Sequence, residues 1–308
     1  MKRFIIKTLI IFLFALVIAI VIEFVVRGVP NPYRYKISLI EKQKEDVQLL
    51  ILGSSTAYNG INPSFFDKKA LNMSLGGQGI MIDAFLVNRY LHQMPNLEAI
   101  ILPIGYGTLF LPDVFGFPDG LMSYRVYYKY DPNCFSFDSY EFFHRHSVRV
   151  KLERMLRGDI PQFADSLGFH GENFIGINFK GEGFDFYLEA ENAINGMTTK
   201  DHNLIDKNIK ALHQIAELSE KANVKLVIVS IPFHKSFRDL DSPTQWSFID
   251  SVIDSVIKQY DNSLYLNYYS TAIPDTCYAN PSHLNIYGAE LFSKMLAHDL
   301  DSIGVFQH

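Results

Sequence analysis

Two short segments of the sequence carry side chains that together could perform nucleophilic catalysis. An apolar run, Leu49–Leu52, stops at a glycine and two serines, of which Ser55 is the candidate nucleophile. A serine hydroxyl attacks an acyl carbon when a neighbouring base takes its proton, and His283 is the candidate base. Asn280 lies three residues before His283, in the position of the residue that orients the imidazole ring. Its amide oxygen can accept a hydrogen bond but supplies no charge.

Backbone N–H groups that follow neighbouring apolar runs are candidates for an oxyanion hole. Gly76 and Gly77 follow the second run, and Gly105 and Tyr106 follow the third. Together with the amide of Ser55, they could donate hydrogen bonds to the negative oxygen that develops during acyl transfer. Glycine has no side chain, so a substrate can approach such a backbone closely.

Each of these segments also has an interpretation without catalysis. Gly-Ser-Ser after a strand is common in turns and helix caps, and a histidine before a helix is often a cap. The run Gly76–Gly79 is compatible with a tight turn, and it is not a phosphate-binding loop because no Gly-Lys-Ser/Thr follows it. His234 is either a substrate contact or an ordinary loop residue. The occurrence of three such segments at successive strand ends favours a site.

The elements that must position these residues alternate between strands and helices. Apolar runs bounded by turn residues predict strands, and an apolar spacing of three and four residues predicts helices. The alternation predicts a doubly wound parallel α/β sheet, in which the carboxyl ends of the strands meet at one edge. The expected strands are Val47–Leu52, Leu71–Leu75, Leu97–Ile104, Val224–Ile231 and Ser263–Asn267; the expected helices are Ile37–Asp46, Ile80–Gln93, Asp138–Arg157, Leu204–Lys221, Trp246–Tyr260 and Ile286–Leu300.

The pattern divides the chain into three regions. Residues 1–27 are expected to be a short tail and a membrane anchor, residues 28–46 a linker and lead-in helix, and residues 47–308 the α/β domain. Within that domain, residues 110–199 interrupt the alternation. So long a stretch between two strands is unusual, and we expect an insertion that forms a lid or one wall of a cleft.

The amino-terminal region predicts a single membrane span. Basic residues at the start precede a nearly continuous apolar stretch, Phe4–Val26, which exceeds the roughly 20 residues needed to cross a bilayer. The residues after it contain no site typical of signal-peptide cleavage, so an uncleaved anchor is favoured over a cleaved signal peptide or a buried helix. The basic tail favours a cytoplasmic amino terminus with the domain outside the cytoplasm.

Composition bounds the remaining possibilities. A net charge of −5 and the lack of a long basic run argue against nucleic-acid binding. Cys134 and Cys277 are not at a metal-ligand spacing, and they are either a disulfide or two unrelated thiols. His144 and His146 have no carboxylate partner at ligand spacing, so neither a metal nor a cofactor is expected.

The motifs resemble those of the SGNH/GDSL hydrolase superfamily. The resemblance lies in Gly53-Ser54-Ser55, in Asn72 with Gly76-Gly77-Gln78, and in Pro281-Ser282-His283-Leu284-Asn285 with Gly288-Ala289. The motifs look closest to those of its membrane-anchored, extracytoplasmic members found with cell-envelope polysaccharide and teichoic acid modification, the DltD-like group. The resemblance implies a flavodoxin-like sheet of five parallel strands, with Ser55 as nucleophile, His283 as base, and the amides of Ser55 and Gly77 or Gly76 as oxyanion donors.

Two positions depart from the family pattern. Asn280 stands where the family has an acid, and the Gly105-Tyr106 region replaces an asparagine of its third block. Asp275 could supply the missing carboxylate if its loop folds back. The resemblance implies a serine esterase or O-acyltransferase for acyl esters of an envelope glycan, with a membrane-bound acyl exporter as a partner. The alternative hypothesis is a catalytically weakened domain that binds glycan or acts as a scaffold in a modification complex.

Overall fold

The apolar runs form a parallel sheet in the computed structural model, which describes residues 1–117, 119–130, 139–158, 162–171 and 185–306. The strands are β1 (Leu49–Ile51), β2 (Ala70–Asn72), β3 (Ala99–Pro103), β4 (Lys225–Ser230) and β5 (Ser263–Asn267). All four pairings are parallel, and the order across the sheet is β2-β1-β3-β4-β5. This is the flavodoxin-like order, and it confirms the predicted five-stranded α/β fold.

The strands β1 to β4 are shorter than predicted. Their ends differ from the predictions by at most three residues, and β5 has the predicted bounds. The reason is that Leu52, Leu75 and Ile104 are buried although they lie beyond the ladder of paired residues. An apolar run therefore marks burial, and the hydrogen-bonded part of the strand ends sooner.

Eleven α-helices lie in the described part of the chain. They are α1 (Lys2–Gly28), α2 (Pro32–Gln43), α3 (Ser55–Gly60), α4 (Ile80–Tyr90), α5 (Gly120–Ser123), α6 (Arg145–Arg157), α7 (Phe186–Gly196), α8 (His202–Lys221), α9 (Lys235–Arg238), α10 (Pro243–Gln259) and α11 (Ile286–Ser302). α2 begins inside the segment that was expected to be a linker, because proline is favoured in the first turn of a helix. α6 begins later than predicted, and the predicted start at Asp138 lies outside the described residues.

A short hairpin near the end of the chain was not predicted. Its strands, β6 (Tyr278–Asn280) and β7 (His283–Leu284), pair in antiparallel fashion, with Asn280 opposite His283. Asn285 then caps α11, since its Oδ1 accepts from the backbone N–H groups of Tyr287 and Gly288. The hairpin therefore fixes His283 between the sheet and the last helix.

The described residues divide into two compact units. One comprises Met1–Ile37 and Pro118–Phe163, and the other comprises Ser38–Phe117 and Ala164–His308. The second unit contains the whole parallel sheet and a buried apolar core on its faces. The first contains α1, whose mean hydropathy over its most apolar window is 3.3, so that it is long and apolar enough to cross a membrane.

Candidate active site

Ser55 is positioned by the abrupt turn between β1 and α3. Gly53 has a φ of +106°, which residues with a side chain rarely adopt. A Cβ there would also lie 3.2 Å from Cδ of Pro103 on the neighbouring strand. The chain reverses at this glycine, so that Ser55 becomes the first residue of α3 at the carboxyl end of β1. The strand order changes direction between β1 and β3, and ligands of open α/β sheets bind at such a point.

The hydroxyl of Ser55 meets the imidazole of His283. Ser55 Oγ lies 2.7 Å from His283 Nε2, and His283 Nδ1 lies 2.9 Å from Asn280 Oδ1. Residues separated by more than two hundred positions in the sequence thus form one hydrogen-bonded chain. Its order, hydroxyl to imidazole to a fixed oxygen, is the arrangement that activates a serine nucleophile.

The orientation of the Asn280 amide fixes the histidine tautomer. The backbone N–H of Ser282, which can only donate, lies 3.1 Å from Asn280 Oδ1. The amide oxygen rather than the NH₂ group therefore faces the hairpin turn and accepts from Nδ1–H of His283. The lone pair of Nε2 then faces the Ser55 hydroxyl, as a general base requires. Ser282 Oγ is a second neighbour of Nδ1, at 3.1 Å.

Burial sets the protonation state of His283. It lowers the pKa of the imidazole to about 4, because the charged form loses its hydration. Asn280 has no charge to oppose this effect. His283 is consequently neutral at pH 7 and able to accept a proton, although it is a weaker base than a histidine paired with a carboxylate.

A cavity of about 250 Å³ opens above this chain of hydrogen bonds. Ser55, His283, Gly77, Gly105 and Tyr106 all line it. Its remaining walls are largely apolar and include Leu111, Phe115, Phe117, Met197 and Phe233. Since water is poorly retained between such side chains, the cavity is suited to a small uncharged group placed next to the Ser55 hydroxyl.

The fold leaves no room for a side chain at Gly77. Its φ is +70°, and a Cβ there would lie 2.0 Å from the carbonyl oxygen of Phe115. The Phe115 N–H donates to the Gly77 carbonyl at 2.8 Å, which closes the loop over the glycine. Among the described residues, no acceptor bonds to the N–H of Ser55 or of Gly77. The N–H of Gly105 already donates to Thr108 Oγ1 at 2.9 Å, and Gly76 does not line the cavity.

A buried carboxylate that the sequence did not single out also lines the cavity. Asp83 Oδ1 accepts from the backbone N–H of Gly53 at 3.0 Å and from Gln78 Nε2 at 2.6 Å. It thereby links the turn before Ser55 to the glycine-rich loop. Burial raises the pKa of Asp83 to about 7, and the two hydrogen bonds partly offset this increase. The available signal was a single acid on the buried face of α4.

His234 and Asp275 lie near each other but outside the cavity. His234 Nε2 is 3.3 Å from Asp275 Oδ1, and its Nδ1 accepts from the N–H of Ser236 as the cap of α9. The backbone N–H of His234 donates to the carbonyl of Pro281 at 2.9 Å. These contacts give His234 a place in supporting the hairpin that carries His283. Asp275 is mostly exposed, at 72% of its side chain.

The remaining predicted features concern metals and thiols. In the part of the chain that the structure describes, no three His, Cys, Asp or Glu residues are grouped to hold a metal ion. Cys277 is buried, whereas Cys134 and hence the question of their pairing lie outside the described residues.

Comparison with solved structures finds a similarity to a presumed acylhydrolase from Bacteroides fragilis. The match covers 88% of this chain and 95% of that chain, with 11% sequence identity and a TM-score of 0.43. No family model matches the chain, and no curated protein does. A similarity of this degree carries no information about the active site, so the chemistry of the site is interpreted from its own geometry.

Proposed function

We propose that this protein is a serine acyl hydrolase or O-acyltransferase that forms an acyl-enzyme on Ser55. The observation that carries the proposal is the hydrogen-bonded chain from Ser55 Oγ through His283 to Asn280 Oδ1, at 2.7 and 2.9 Å. It lies at the wall of a cavity and at the edge of the sheet where ligands of this architecture bind.

The geometry permits a balanced sequence of proton and acyl transfers. Ser55 Oγ bonds to the acyl carbon while its proton moves to His283 Nε2. The carbonyl oxygen becomes negative and accepts hydrogen bonds from the N–H groups of Ser55 and Gly77. As the ester C–O bond breaks, Nε2 returns the proton to the departing alcohol. A water or a sugar hydroxyl then attacks the acyl-enzyme by the reverse route, which gives hydrolysis or transfer.

The substrate class follows from the membrane helix and the motif resemblance. A chain anchored by α1 with its domain outside the cytoplasm would meet acyl esters of cell-envelope polysaccharide. A membrane-bound exporter would supply the acyl donor. For comparison, an apolar cavity of roughly 150 Å³ in another protein accommodates benzene. The larger cavity beside Ser55, of about 250 Å³, therefore favours short uncharged acyl groups.

The second candidate function is a binding or scaffold domain for envelope glycan. Asn280 favours it, because an amide cannot stabilise the imidazolium by charge as an acid does. Under this hypothesis the Ser55–His283 pair would remain in place without appreciable turnover.

Covalent labelling of the full-length protein in detergent separates the two functions. We expect a fluorophosphonate to add once to the wild type, as read by intact mass, and not to Ser55→Ala or His283→Ala. Ser54→Ala is the matched control, since Ser54 also lines the cavity but bonds to Thr56 Oγ1 at 3.3 Å instead of to a histidine. Labelling that persists in Ser55→Ala, or no labelling of a folded wild type, would exclude the catalytic function.

Esters of increasing acyl length then test the cavity. We expect 4-nitrophenyl acetate and butyrate to be hydrolysed faster than the decanoate. Met197→Ala removes a cavity-lining side chain and should shift the preference toward longer chains. Hydrolysis that increases with chain length in the wild type would contradict the role assigned to this cavity. Addition of an acetylatable oligosaccharide reveals transfer as a new acylated product.

A further inference from the structure

A second cavity lies in the unit that contains α1, and its lining divides into an apolar and a polar part. Its volume is about 840 Å³. Leu16, Ile20 and Phe24 of α1 form one apolar wall. Three aromatic residues of one turn, Tyr140, Phe142 and Phe143, also line it, together with Tyr127. We call this space the α1 groove.

The polar end of the α1 groove lies at the carboxyl end of α1. Glu23, Arg27 and Arg34 line it, so that two guanidinium groups accompany one carboxylate. Arg27 is paired with Glu23, and its Cζ lies 5.8 Å from the centroid of the Tyr140 ring. Arg34 Nη1 donates to the carbonyl of Gly28 at 2.6 Å, at the end of the helix. The polar end therefore carries a net positive charge.

The same charged pair on α1 holds the aromatic wall in place. Glu23 accepts from the backbone N–H groups of Glu141 and Phe142, at 3.2 and 2.8 Å. Arg27 Nη2 donates to the carbonyl of Ser139 at 2.8 Å. The three rings are consequently held beside the last turns of α1, where a membrane-spanning helix leaves the hydrocarbon core of the bilayer.

A buried ionic network also holds the turn that carries Tyr140, Phe142 and Phe143. The fully buried carboxylate of Glu141 pairs with Lys151 and accepts from Tyr127 Oη at 2.7 Å and Ser147 Oγ at 2.8 Å. Burying an ion pair costs several kcal/mol of desolvation, which hydrogen bonds of this kind offset. Yet between 38% and 53% of each neighbouring aromatic residue stays exposed. The network thus fixes an exposed aromatic surface.

We propose that the α1 groove binds one anionic phospholipid of the surrounding bilayer. An acyl chain lies between α1 and the aromatic rings, and the phosphate is held by Arg27 and Arg34. The proposal rests on α1 spanning the membrane and is independent of catalysis at Ser55. Tyrosine concentrates at the membrane interface, phenylalanine is favourable among acyl chains, and arginine favours phosphate oxygens.

The charge of α6 agrees with an anionic lipid at this level. Arg154 and Met155 line a smaller cavity together with Val25 and Gly28, so the carboxyl half of α6 lies at the same end of α1. Its carboxyl half carries Arg154 and Arg157, whereas Lys151 is buried against Glu141 and Arg149 pairs with Glu153. A basic helix beside exposed apolar side chains is typical of an interfacial segment that contacts anionic head groups.

Photocrosslinking of the full-length protein in lipid nanodiscs tests the proposal. The probe is phosphatidylglycerol with a diazirine in one acyl chain, and adducts are located by peptide mass spectrometry. We expect adducts concentrated on Tyr140–Phe143, with fewer on Phe12 and Phe14, which are exposed on α1 outside the groove. Excess unlabelled phosphatidylglycerol should compete for the groove adducts, and excess phosphatidylcholine should not.

Arg34→Gln should reduce the preference for the anionic probe about fivefold, the equivalent of roughly 1 kcal/mol per arginine near a lipid surface. Arg34→Lys should restore most of it. The matched control is Arg149→Gln, which removes an exposed arginine of α6 that pairs with Glu153 and does not line the groove.

Adducts spread evenly along α1, or equal competition by both lipids, would refute the lipid site. A chain that carbonate washing removes from vesicles would refute the membrane span on which the site rests. Fluorophosphonate labelling of the same nanodisc samples reports separately on Ser55, so either failure can be told from loss of the proposed catalysis.

Discussion

Replacing Asn280 by aspartate is the perturbation that tests the site most directly. In the wild type the amide oxygen lies 2.9 Å from His283 Nδ1 and is held there by the N–H of Ser282. Aspartate is nearly isosteric, so Asn280→Asp places a carboxylate oxygen at the same position. The histidine tautomer is retained, and only the charge behind the imidazole changes.

The size of the effect follows from the burial of His283. Its pKa is lowered to about 4 because burial removes the hydration of the charged imidazolium. An opposite charge within hydrogen-bonding distance raises the pKa of such a group by about 1 to 3. This corresponds to roughly 1.4 to 4 kcal/mol of imidazolium stabilisation. If half of this stabilisation of the imidazolium is present in the transition state, acylation at pH 8 accelerates about 3- to 30-fold.

The assay is the rate of fluorophosphonate labelling between pH 3.5 and 9, with hydrolysis of 4-nitrophenyl acetate as a second measure. We expect the acidic limb of the profile, where His283 becomes protonated, to move to higher pH in Asn280→Asp. Asn280→Ala should label more slowly than the wild type at every pH, since Nδ1–H loses its acceptor. If both variants fold, and neither the rate nor the acidic limb changes, His283 does not act as the base and the mechanism is wrong.

Three further predictions concern residues around the site and the first unit. The raised pKa of Asp83, about 7, means that the folded chain keeps a proton which the unfolded chain releases above a pH of about 4, so stability falls as the pH rises between these values. Asp83→Asn removes this dependence. The free energy of unfolding of the variant minus that of the wild type should therefore increase by up to about 4 kcal/mol from pH 4 to pH 8 in denaturant titrations. A difference that stays constant with pH would contradict the raised pKa. Gly77→Ala should destabilise the protein by about 1 to 3 kcal/mol and slow labelling of Ser55, because the new Cβ meets the carbonyl of Phe115; unaltered labelling would exclude the Gly77 loop from the site. Lys151→Met leaves a buried carboxylate unpaired and should lower the free energy of unfolding of the first unit by about 3 to 5 kcal/mol, as measured by thermal melting. Adding Glu141→Gln should recover much of this loss.

The alternation of apolar runs and helical spacings was sufficient to predict the parallel sheet. Buried parallel strands are apolar on both faces, so their sequences are recognisable without knowledge of their neighbours. Strand ends and helix starts were less accurate, as at α2 and α6, because hydrogen bonding rather than hydrophobicity decides them.

The sequence also singled out Ser55, His283 and Asn280 as a set. Their positions after the first strand and before the last helix bring them to one edge of any sheet of this topology. The contacts among them depend on the β6–β7 hairpin, whose strands are too short to show a pattern in the sequence. The roles assigned to these residues stay predictions until the serine is labelled.

Asp83 and the α1 groove show what only the tertiary structure decided. Asp83 becomes a link between two loops because the fold buries it beneath the N–H of Gly53, and nothing in its local sequence indicates that partner. The α1 groove likewise depends on Glu23 meeting the backbone of a turn more than one hundred residues away. Local sequence determines which segments are buried and how they repeat, since those properties depend on each segment's own side chains. Contacts between distant segments depend on how the folded chain is packed, and they decide which polar groups meet.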